Sequence, residues 1–523
     1  MTAIASPQPS TAYLRYGVLW PLVPAMAMVM IDFTIVSISL TTIQDDLHLS
    51  STAAQWLVTA YALATAAFVA LGGRLGDILG HRKIVTIGIV IFAVASLLCG
   101  LVPDNSSLTE AWLIAFRSIQ GIGGALLIPS ATVLVLNAFP PEERGKGLSI
   151  FFIIAGLFTA IGPIAGSYLT EYWTWRAIFW INVPVALLSL AELARTKLRD
   201  EPHPAPIDVR GAALLVAGMA LSVLGIQQST AWGWGSVATL GTLIVGVVLL
   251  GVFWMVERNA ENPLIDVRHL AANRVFAADN AIVFLFFTAW LAIFVFGSMY
   301  FQISAGQPPS QAGFSILTVF YPFFVTSRIG GGMMDKAGPK LPVALGLLTT
   351  AVGMALWASE ATGLDHIDVL PGQLVTGAGL GLVMSAINTD ALNRVGPAER
   401  GEASGIVQTT RNFGSAVGVA LLGTVLLSVW KSDTIDSLTG AGVPSAIAHR
   451  VADSIVQGSG GASAAGGGGG GGGGRIAELV AQSIAQDFAS GFQVALYVGA
   501  GIMALAFVVA LLRLPAGRQE AIE

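Results

Sequence analysis

Long apolar stretches constrain the fold of this chain more than any other feature of its sequence. Windows of roughly 20 apolar residues have the length that a helix needs to cross the ~30 Å hydrocarbon core of a bilayer. Fourteen such windows lie near residues 16–39, 54–72, 83–102, 111–136, 148–170, 177–195, 209–227, 236–256, 277–301, 312–332, 341–359, 369–389, 403–428 and 492–513. Charged residues make up only 11% of the chain, against roughly 25% in soluble domains. We therefore predict an all-α polytopic membrane protein.

Basic residues are distributed unevenly between the predicted loops. If the N-terminus lies in the cytoplasm, most of the 26 Lys and Arg residues fall on cytoplasmic loops and ends, whereas the opposite loops carry mainly acids such as Asp46 and Asp368. The positive-inside rule describes this distribution. With an even number of spans, both termini are expected to be cytoplasmic. The first 15 residues lack the pattern of a cleaved signal peptide, so we expect the first span to be retained.

Several functional classes find no support in the sequence. The sequence contains no cluster of metal ligands and no glycine-rich phosphate-binding loop. An ATP-driven pump formed by this chain alone is therefore not expected. No nucleophile–base pair is evident, so we expect neither an enzyme nor a bound cofactor, and no nucleic-acid partner. Cys99 is the single cysteine of the chain, which excludes an intramolecular disulfide.

A short pattern is repeated in two predicted cytoplasmic turns. It consists of a glycine, an aspartate four residues later and a glycine three residues after that. It occurs as Gly73, Asp77 and Gly80 after the second span, and as Gly331, Asp335 and Gly338 after the tenth. Duplication at matching places predicts two homologous helix bundles, which is a common plan among transporters.

The repeat suggests a division of the chain into three parts. We predict an N-terminal six-helix bundle at 1–200, a linker with two additional spans at 201–270, and a C-terminal six-helix bundle at 271–523. The two additional spans contain no charged residue before Glu257 and are expected to be peripheral. Residues 430–491 are expected to form a long external loop, in which two short helices flank a run of nine glycines at 466–474.

Asp32 is a lone carboxylate in the first apolar window. Burying a charge at the bilayer centre costs about 2.5–3.5 kcal/mol on insertion scales, so such residues usually face a bundle interior or a wet cavity. At 1.5 Å per residue, Asp32 lies roughly 24 Å into its helix from the cytoplasm, and Arg117 roughly 9 Å into the fourth span from outside. Their depths in the bilayer nearly coincide, and we expect the two charges to pair if these helices are neighbours.

Other short motifs accompany this pair in a fixed order along the chain. They lie at 32–36 in the first span, 73–83 in the next turn, 117–125 in the fourth span, 162–166 in the fifth and 399–405 before the thirteenth. With these motifs the chain resembles the major facilitator superfamily and, within it, the fourteen-span drug:proton antiporter group. The resemblance covers nearly the whole sequence.

The resemblance implies a role for each motif. Asp32 and Arg117 would couple proton movement to substrate movement. The cytoplasmic gate would comprise Gly73, Asp77, Gly80, Arg82 and Asp335. The antiporter motif, which is expected to seal the fifth helix against leakage, would comprise Gly162, Pro163 and Gly166.

The resemblance implies a proton-coupled antiporter that exports lipophilic, cationic compounds across the cytoplasmic membrane of a bacterium. Its partners would be the small-molecule substrate, protons and the lipid bilayer, and the protein would act as a monomer. Substrate and proton would compete for Asp32. The aromatic side chains considered for the pocket are Phe151, Phe158, Trp290, Phe294 and Tyr321. Two alternatives stay open, namely a dedicated exporter of an endogenous metabolite, lipid or siderophore, and a non-transporting membrane sensor.

Overall fold

The computed structural model describes residues 17–49, 51–104, 108–196, 200, 202–206, 208–260, 263, 265, 273–307, 309–456 and 473–518. Apart from three single-turn 3-10 segments, the regular structure in these residues is α-helix. The helices are α1 (Leu19–Asp46), α2 (Ser51–Leu79), α3 (His81–Gly100), α4 (Thr109–Ala138), α5 (Arg144–Tyr172), α6 (Ala177–Trp180), α7 (Asn182–Arg195), α8 (Val209–Trp232), α9 (Val237–Glu257), α10 (Arg274–Ile303), α11 (Pro309–Leu317), α12 (Phe320–Ala337), α13 (Lys340–Glu360), α14 (His366–Asn393), α15 (Arg400–Gly440), α16 (Ser445–Val456) and α17 (Gly473–Arg513).

Thirteen helical segments of the described chain are long and apolar enough to cross a membrane. The fourteenth predicted span, 148–170, falls within α5, some of whose side chains lie outside the described residues. The predicted all-α polytopic architecture is confirmed. The cytoplasmic position of both termini stays a prediction.

The helix contacts group the spans into two bundles. In the first, α1 packs against α5 and α7, while α4 packs between α2 and α3. In the second, α10 and α13 both pack against α17, and α14 packs between α12 and α13. The most extensive contacts between the bundles are those between α2 and α15 and between α5 and α12, and smaller ones join α5 to α14 and α4 to α15. The domain boundaries at 200 and 270 stay predictions, because 197–199 and 266–272 lie outside the described residues.

Glycines allow close helix packing inside the bundles, as expected where lipid provides no hydrophobic drive between helices. Gly88 of α3 and Gly123 of α4 face each other. A Cβ placed on Gly123 would lie 2.7 Å from the backbone nitrogen of Phe92 and 2.9 Å from the carbonyl oxygen of Gly88. Both distances are too short for a side chain.

Gly123→Val is therefore expected to destabilise the N-terminal bundle. Overpacking of this kind costs about 1–3 kcal/mol, since backbone must move to make room. Thermal unfolding of the purified protein in detergent would show a lower midpoint. Gly241→Val in α9 is the matched control, because nothing lies within 4 Å of a Cβ at Gly241. Equal midpoints for the two variants would contradict the packing argument.

The expectation that both additional spans are peripheral is wrong for the first of them. Helix α8 packs against α2 and α15, at the junction between the two bundles, and buries Ser222 and Ser229. Helix α9 packs mainly against α8 and exposes most of its surface. Apolar residues of α8, such as Leu215, Met219 and Val223, belong to the main core, and a search for charged residues overlooks them.

The predicted external loop at 430–491 is largely helical. Helix α15 continues without a break to Gly440, and α17 begins at Gly473 rather than near residue 492. One of the two expected short helices is therefore the first part of α17, and the other is α16. Leu438, Val443, Ala448 and Val451 form a small apolar core between α15 and α16. Most of the glycine run, 466–472, lies outside the described residues.

Candidate functional site

Asp32 and Arg117 are in direct contact inside the N-terminal bundle. The guanidinium Nη1 of Arg117 donates to Oδ2 of Asp32 at 2.6 Å. Gln120 and Asn182 donate side-chain N–H groups to Oδ1 at 2.9 and 3.3 Å. Helices α1, α4 and α7 thus each contribute to one buried polar network, in which the carboxylate is 0% exposed.

Arg117 is held in place by further contacts. Its Nε donates to the carbonyl oxygen of Leu57 at 3.0 Å, and Nη1 also donates to Oε1 of Gln120 at 2.7 Å. The guanidinium lies over the ring of Tyr61, 4.5 Å from its centroid. Leu57 and Tyr61 both lie on α2, so this helix also contacts the charge pair, through a backbone carbonyl and an aromatic ring.

A cavity of about 480 Å³ lies between the two bundles. Helices α1, α2, α5, α8, α10, α12, α14 and α15 all contribute to its wall, and so does one residue of α4. Asp32 and Arg117 do not belong to this wall, whereas Tyr61 does. Tyr61 therefore separates the buried charge pair from the cavity.

The aromatic lining of the cavity differs from the sequence-based candidates. Of the five candidates, Trp290 alone is found among the lining residues. Phe151 is packed in the core and Tyr321 is 67% exposed on the surface. The other aromatic lining residues are Tyr61, Phe152, Phe286, Phe287, Phe320 and Phe323. When a helix is apolar on all sides, its sequence does not indicate which side faces a cavity.

Asp77 bridges the two bundles at the turn between α2 and α3. Its Oδ1 accepts the backbone N–H of Gly401 at 2.8 Å, and its Oδ2 accepts that of Glu402 at 2.6 Å. These amides belong to the first turn of α15, where the helix dipole favours a negative charge. His81 lies 3.3 Å from Asp77 Oδ1. Gly73 allows this approach, because a Cβ there would overlap the backbone of Gly401.

Asp335 makes the corresponding contact with the other bundle. Its two carboxylate oxygens accept the backbone N–H groups of Gly145 and Lys146, at 2.9 and 3.1 Å, in the first turn of α5. The structure thus contains two contacts of the same design, one between α2 and α15 and one between α12 and α5. They lie at the positions of the predicted gates, at the end of the molecule that the sequence predicts to be cytoplasmic, and their role as gates stays a prediction.

Each gate has a flanking pair that the sequence analysis missed. Arg400 donates to Asn137 at 2.9 Å, and Arg144 donates to Asn393 at the same distance, both across the bundle interface. A second repeat could have revealed these pairs. Residues 136–145 read LNAFPPEERG and residues 392–401 read LNRVGPAERG, so Leu-Asn, a later Pro and Glu-Arg-Gly recur in register.

Two predicted gate residues lie next to the gates without bridging them. The side chain of Arg82 donates to the carbonyl oxygen of Leu193 at 2.8 Å, within its own bundle. Gly80 has a φ of 95°, a conformation that glycine adopts without strain, and it forms the break between α2 and α3. Asp200 accepts the backbone N–H groups of His81 and Arg82 at 3.0 and 2.9 Å and so caps α3.

The predicted antiporter motif lies against the helix that carries Asp32. A Cβ on Gly162 would be 3.0 Å from the carbonyl oxygen of Ile31, and one on Gly166 would be 2.8 Å from a side-chain carbon of Ile35. Thr34 reinforces the contact by donating to the carbonyl oxygen of Thr159 at 3.1 Å. The motif therefore brings α5 close to α1 around Asp32. The side chain of Pro163 lies outside the described residues.

A second buried charge cluster lies in the C-terminal bundle, between α10 and α14. Asp390 pairs with Arg394 at 2.8 Å, and Asp279 is buried at 0% exposure. Both aspartates lie near helix ends but are buried, at 0% and 1% exposure, so solvation at the membrane interface does not explain them. Neither residue belongs to the cavity wall.

At the opposite end of the bundle, Asp46 of α1 contacts the two residues that precede α6. The indole N–H of Trp175 donates to Asp46 Oδ2 at 2.8 Å, and Arg176 pairs with the same oxygen at 3.1 Å. The hydrogen bond from Trp175 and the charge of Arg176 lower the pKa of Asp46. The carboxylate is half-exposed, so its contribution to stability is small.

Comparison with known proteins gives a consistent result. Residues 22–419 match the sequence profile of the Major Facilitator Superfamily. The chain is 34% identical over 418 residues to the puromycin resistance protein pur8 of Streptomyces alboniger, which covers 78% of this chain and 81% of that one. It is 33% identical over 505 residues to the tetracenomycin C resistance and export protein of Streptomyces glaucescens, with 94% and 91% covered. The proton:xylose symporter XylE, bound to 6-bromo-6-deoxy-D-glucose, has a similar fold, with a TM-score of 0.62, 15% identity and 98% of both chains covered.

Proposed function

The chain belongs to the Major Facilitator Superfamily and is a membrane transporter rather than an enzyme, and we propose that it is a proton-coupled antiporter that exports lipophilic compounds. The observation that carries this proposal is the pair of matched gates, both closed at one end of a cavity between two bundles. A static sensor has no need of two such contacts. Relatives named for antibiotic resistance and export support the outward direction.

Coupling is proposed to run from Asp32 to the cavity through Arg117 and Tyr61. A proton on Asp32 removes the negative charge that fixes Arg117, and the guanidinium is then free to change its contacts. Tyr61 touches the guanidinium on one side and the cavity on the other. A substrate that displaces Tyr61 would act on the same pair in the reverse direction.

This route differs from direct competition at the carboxylate. Asp32 is fully buried outside the cavity wall, so a substrate in the cavity does not reach it in this conformation. Proton and substrate would instead influence each other through a shared conformational change, as coupling between two distinct sites requires. A cationic cargo stays a prediction.

The proposed setting is the cytoplasmic membrane of a bacterium, with both termini in the cytoplasm and a single chain as the transporting unit. The closed gates would then lie on the cytoplasmic side. The structure would correspond to the stage of the cycle in which the cavity communicates with the exterior. Opening of both gates would be needed before the next substrate enters from inside.

Transport by reconstituted protein tests the proposal. Proteoliposomes with an imposed pH gradient would be given a panel of fluorescent lipophilic compounds. We expect uptake or release against the direction of proton movement, and its loss when a protonophore removes the gradient. Binding without gradient-dependent flux would contradict the proposal and favour a sensor. Competition confined to one chemical family would favour a dedicated exporter.

A further inference from the structure

Arg411 is the charged side chain of the cavity wall among the described residues. It lies on α15 beside Gln408, Asn412 and Ser415, which also line the cavity and give this face of the helix a polar character. Arg, Lys, Asp and Glu are otherwise missing from the described lining. A cavity with this lining has a positive charge and no negative one.

Arg411 has neutral neighbours. Its Nη2 donates to Oδ1 of Asn388 at 3.2 Å, and its guanidinium lies 4.6 Å from the ring centroid of Phe287 and 5.5 Å from that of Phe152. Its buried Nε has no hydrogen-bond acceptor. No carboxylate of the described chain lies within 4.0 Å of it.

Two other arginines inside the bundles, the buried Arg117 and the partly buried Arg394, pair with acids. Arg117 contacts Asp32 and Arg394 contacts Asp390. Ionisable residues at membrane depth generally pair with one another or serve a substrate path. Arg411 has no acidic partner in the described chain and faces the path, so the missing partner is expected to arrive from the cavity.

We propose that Arg411 binds an acidic group, a carboxylate or sulfonate, on an otherwise apolar and aromatic substrate. The fixed fork of a guanidinium matches the two oxygens of such a group. Phe152, Phe287 and Trp290 supply apolar contacts for the rest of the molecule. This inference rests on the proposed export function and replaces the cationic cargo with an anionic one.

The two bundles carry unlike charges in this scheme. In the register that pairs Gly145 with Gly401, Arg411 corresponds to Ala155, and Arg117 corresponds to Gln373. The Asp32–Arg117 pair therefore has no counterpart at the matching position of the C-terminal bundle, and the cavity cation has none at the matching position of the N-terminal bundle. The proton would act on the N-terminal bundle and the substrate on the C-terminal bundle, and the same closed gates join the two bundles.

A matched series of ligands tests the inference without a proton gradient. The probes are 2-naphthaleneacetic acid, its methyl ester and 2-(2-naphthyl)ethylamine, measured by calorimetric titration of the intact protein in detergent. The acid is expected to bind at least about ten-fold more tightly than the ester, which is the least that one charge-assisted hydrogen bond contributes. Arg411→Gln should lose this preference without weaker binding of the ester. Arg411→Lys should keep part of it.

Arg210→Gln is the matched control, since Arg210 is an exposed arginine at the start of α8. Tightest binding of the amine, no binding of the acid, or an unchanged acid preference in Arg411→Gln would each overturn the inference.

Should Arg411→Gln fail to fold, chemical modification of wild-type Arg411 by phenylglyoxal tests the inference instead. Mass spectrometry should then find protection by the acid and not by the ester, and equal protection would overturn the inference. Loss of gradient-driven flux with a retained acid preference would contradict the proposed function alone.

Discussion

Asp32→Asn is expected to abolish pH-driven accumulation of substrate while exchange of substrate for substrate continues. The amide keeps the size and much of the hydrogen bonding of the carboxylate but cannot take up and release a proton. Because Asp32 lies outside the cavity wall, the substrate contacts should survive the change. Proteoliposomes would be assayed twice, once with an imposed pH gradient and once preloaded with unlabelled substrate without a gradient. The two assays separate coupling from translocation.

Asp368→Asn provides the control for this experiment. Asp368 is an exposed carboxylate in the first turn of α14, and its replacement should leave both assays unchanged. Full gradient-driven accumulation by Asp32→Asn would refute the coupling role. Loss of exchange as well, in a protein that elutes as a monodisperse peak, would mean that Asp32 is needed for translocation itself.

Removal of either gate aspartate is expected to shift the protein strongly toward the state that is open at the α2–α3 end. Hydrogen bonds to charged groups contribute about 1.5–3 kcal/mol each, so loss of one such bond in Asp77→Asn or Asp335→Asn should raise the open population about ten-fold or more. The double variant should exceed both single ones, because each aspartate joins the same two bundles at a different contact.

A distance between spin labels on opposite bundles would measure this shift. Lys83→Cys and Pro397→Cys place labels at exposed positions next to the first gate. Cys99, the native cysteine, is 0% exposed, which keeps background labelling low. Asp200→Asn is the matched control, because Asp200 also caps a helix with both oxygens but does so within one bundle. An unchanged distance distribution in both gate variants would show that the aspartates do not hold the gates closed.

Sequence patterns were sufficient to predict the fold and the two aspartates that join the bundles. Apolar windows report the spans because lipid requires a continuous apolar helix. The repeated turn revealed Asp77 and Asp335 because a duplicated contact leaves the same residues in both halves. Asp32 and Arg117 were expected to pair because they lie at similar depths in the bilayer. The roles of these residues in coupling and gating stay predictions.

Cavity lining and helix extent were beyond the reach of these patterns. Arg411 lies near the start of the predicted span 403–428, and nothing local in the sequence distinguishes an arginine near a helix end from one that faces a cavity. The same limit applies to α8, whose buried side chains, such as Leu215, Met219 and Val223, are as apolar as those of a lipid-facing helix. The extension of α15 past the membrane was missed because a polar sequence next to a glycine run resembles a loop, whereas packing on α16 and α17 stabilises it as a helix.

The 41 residues of α15 would be about 60 Å long at 1.5 Å per residue, roughly twice the ~30 Å hydrocarbon core. The equally long α17 runs beside it, and Trp430 and Phe488 lock the two helices together with ring centroids 4.9 Å apart. We therefore expect the ends of these two helices that lie away from the gates to project beyond a detergent micelle. Small transporters offer few features for image alignment in single-particle electron microscopy, and this projection would provide one. It would also offer an antibody epitope that lies away from the gates.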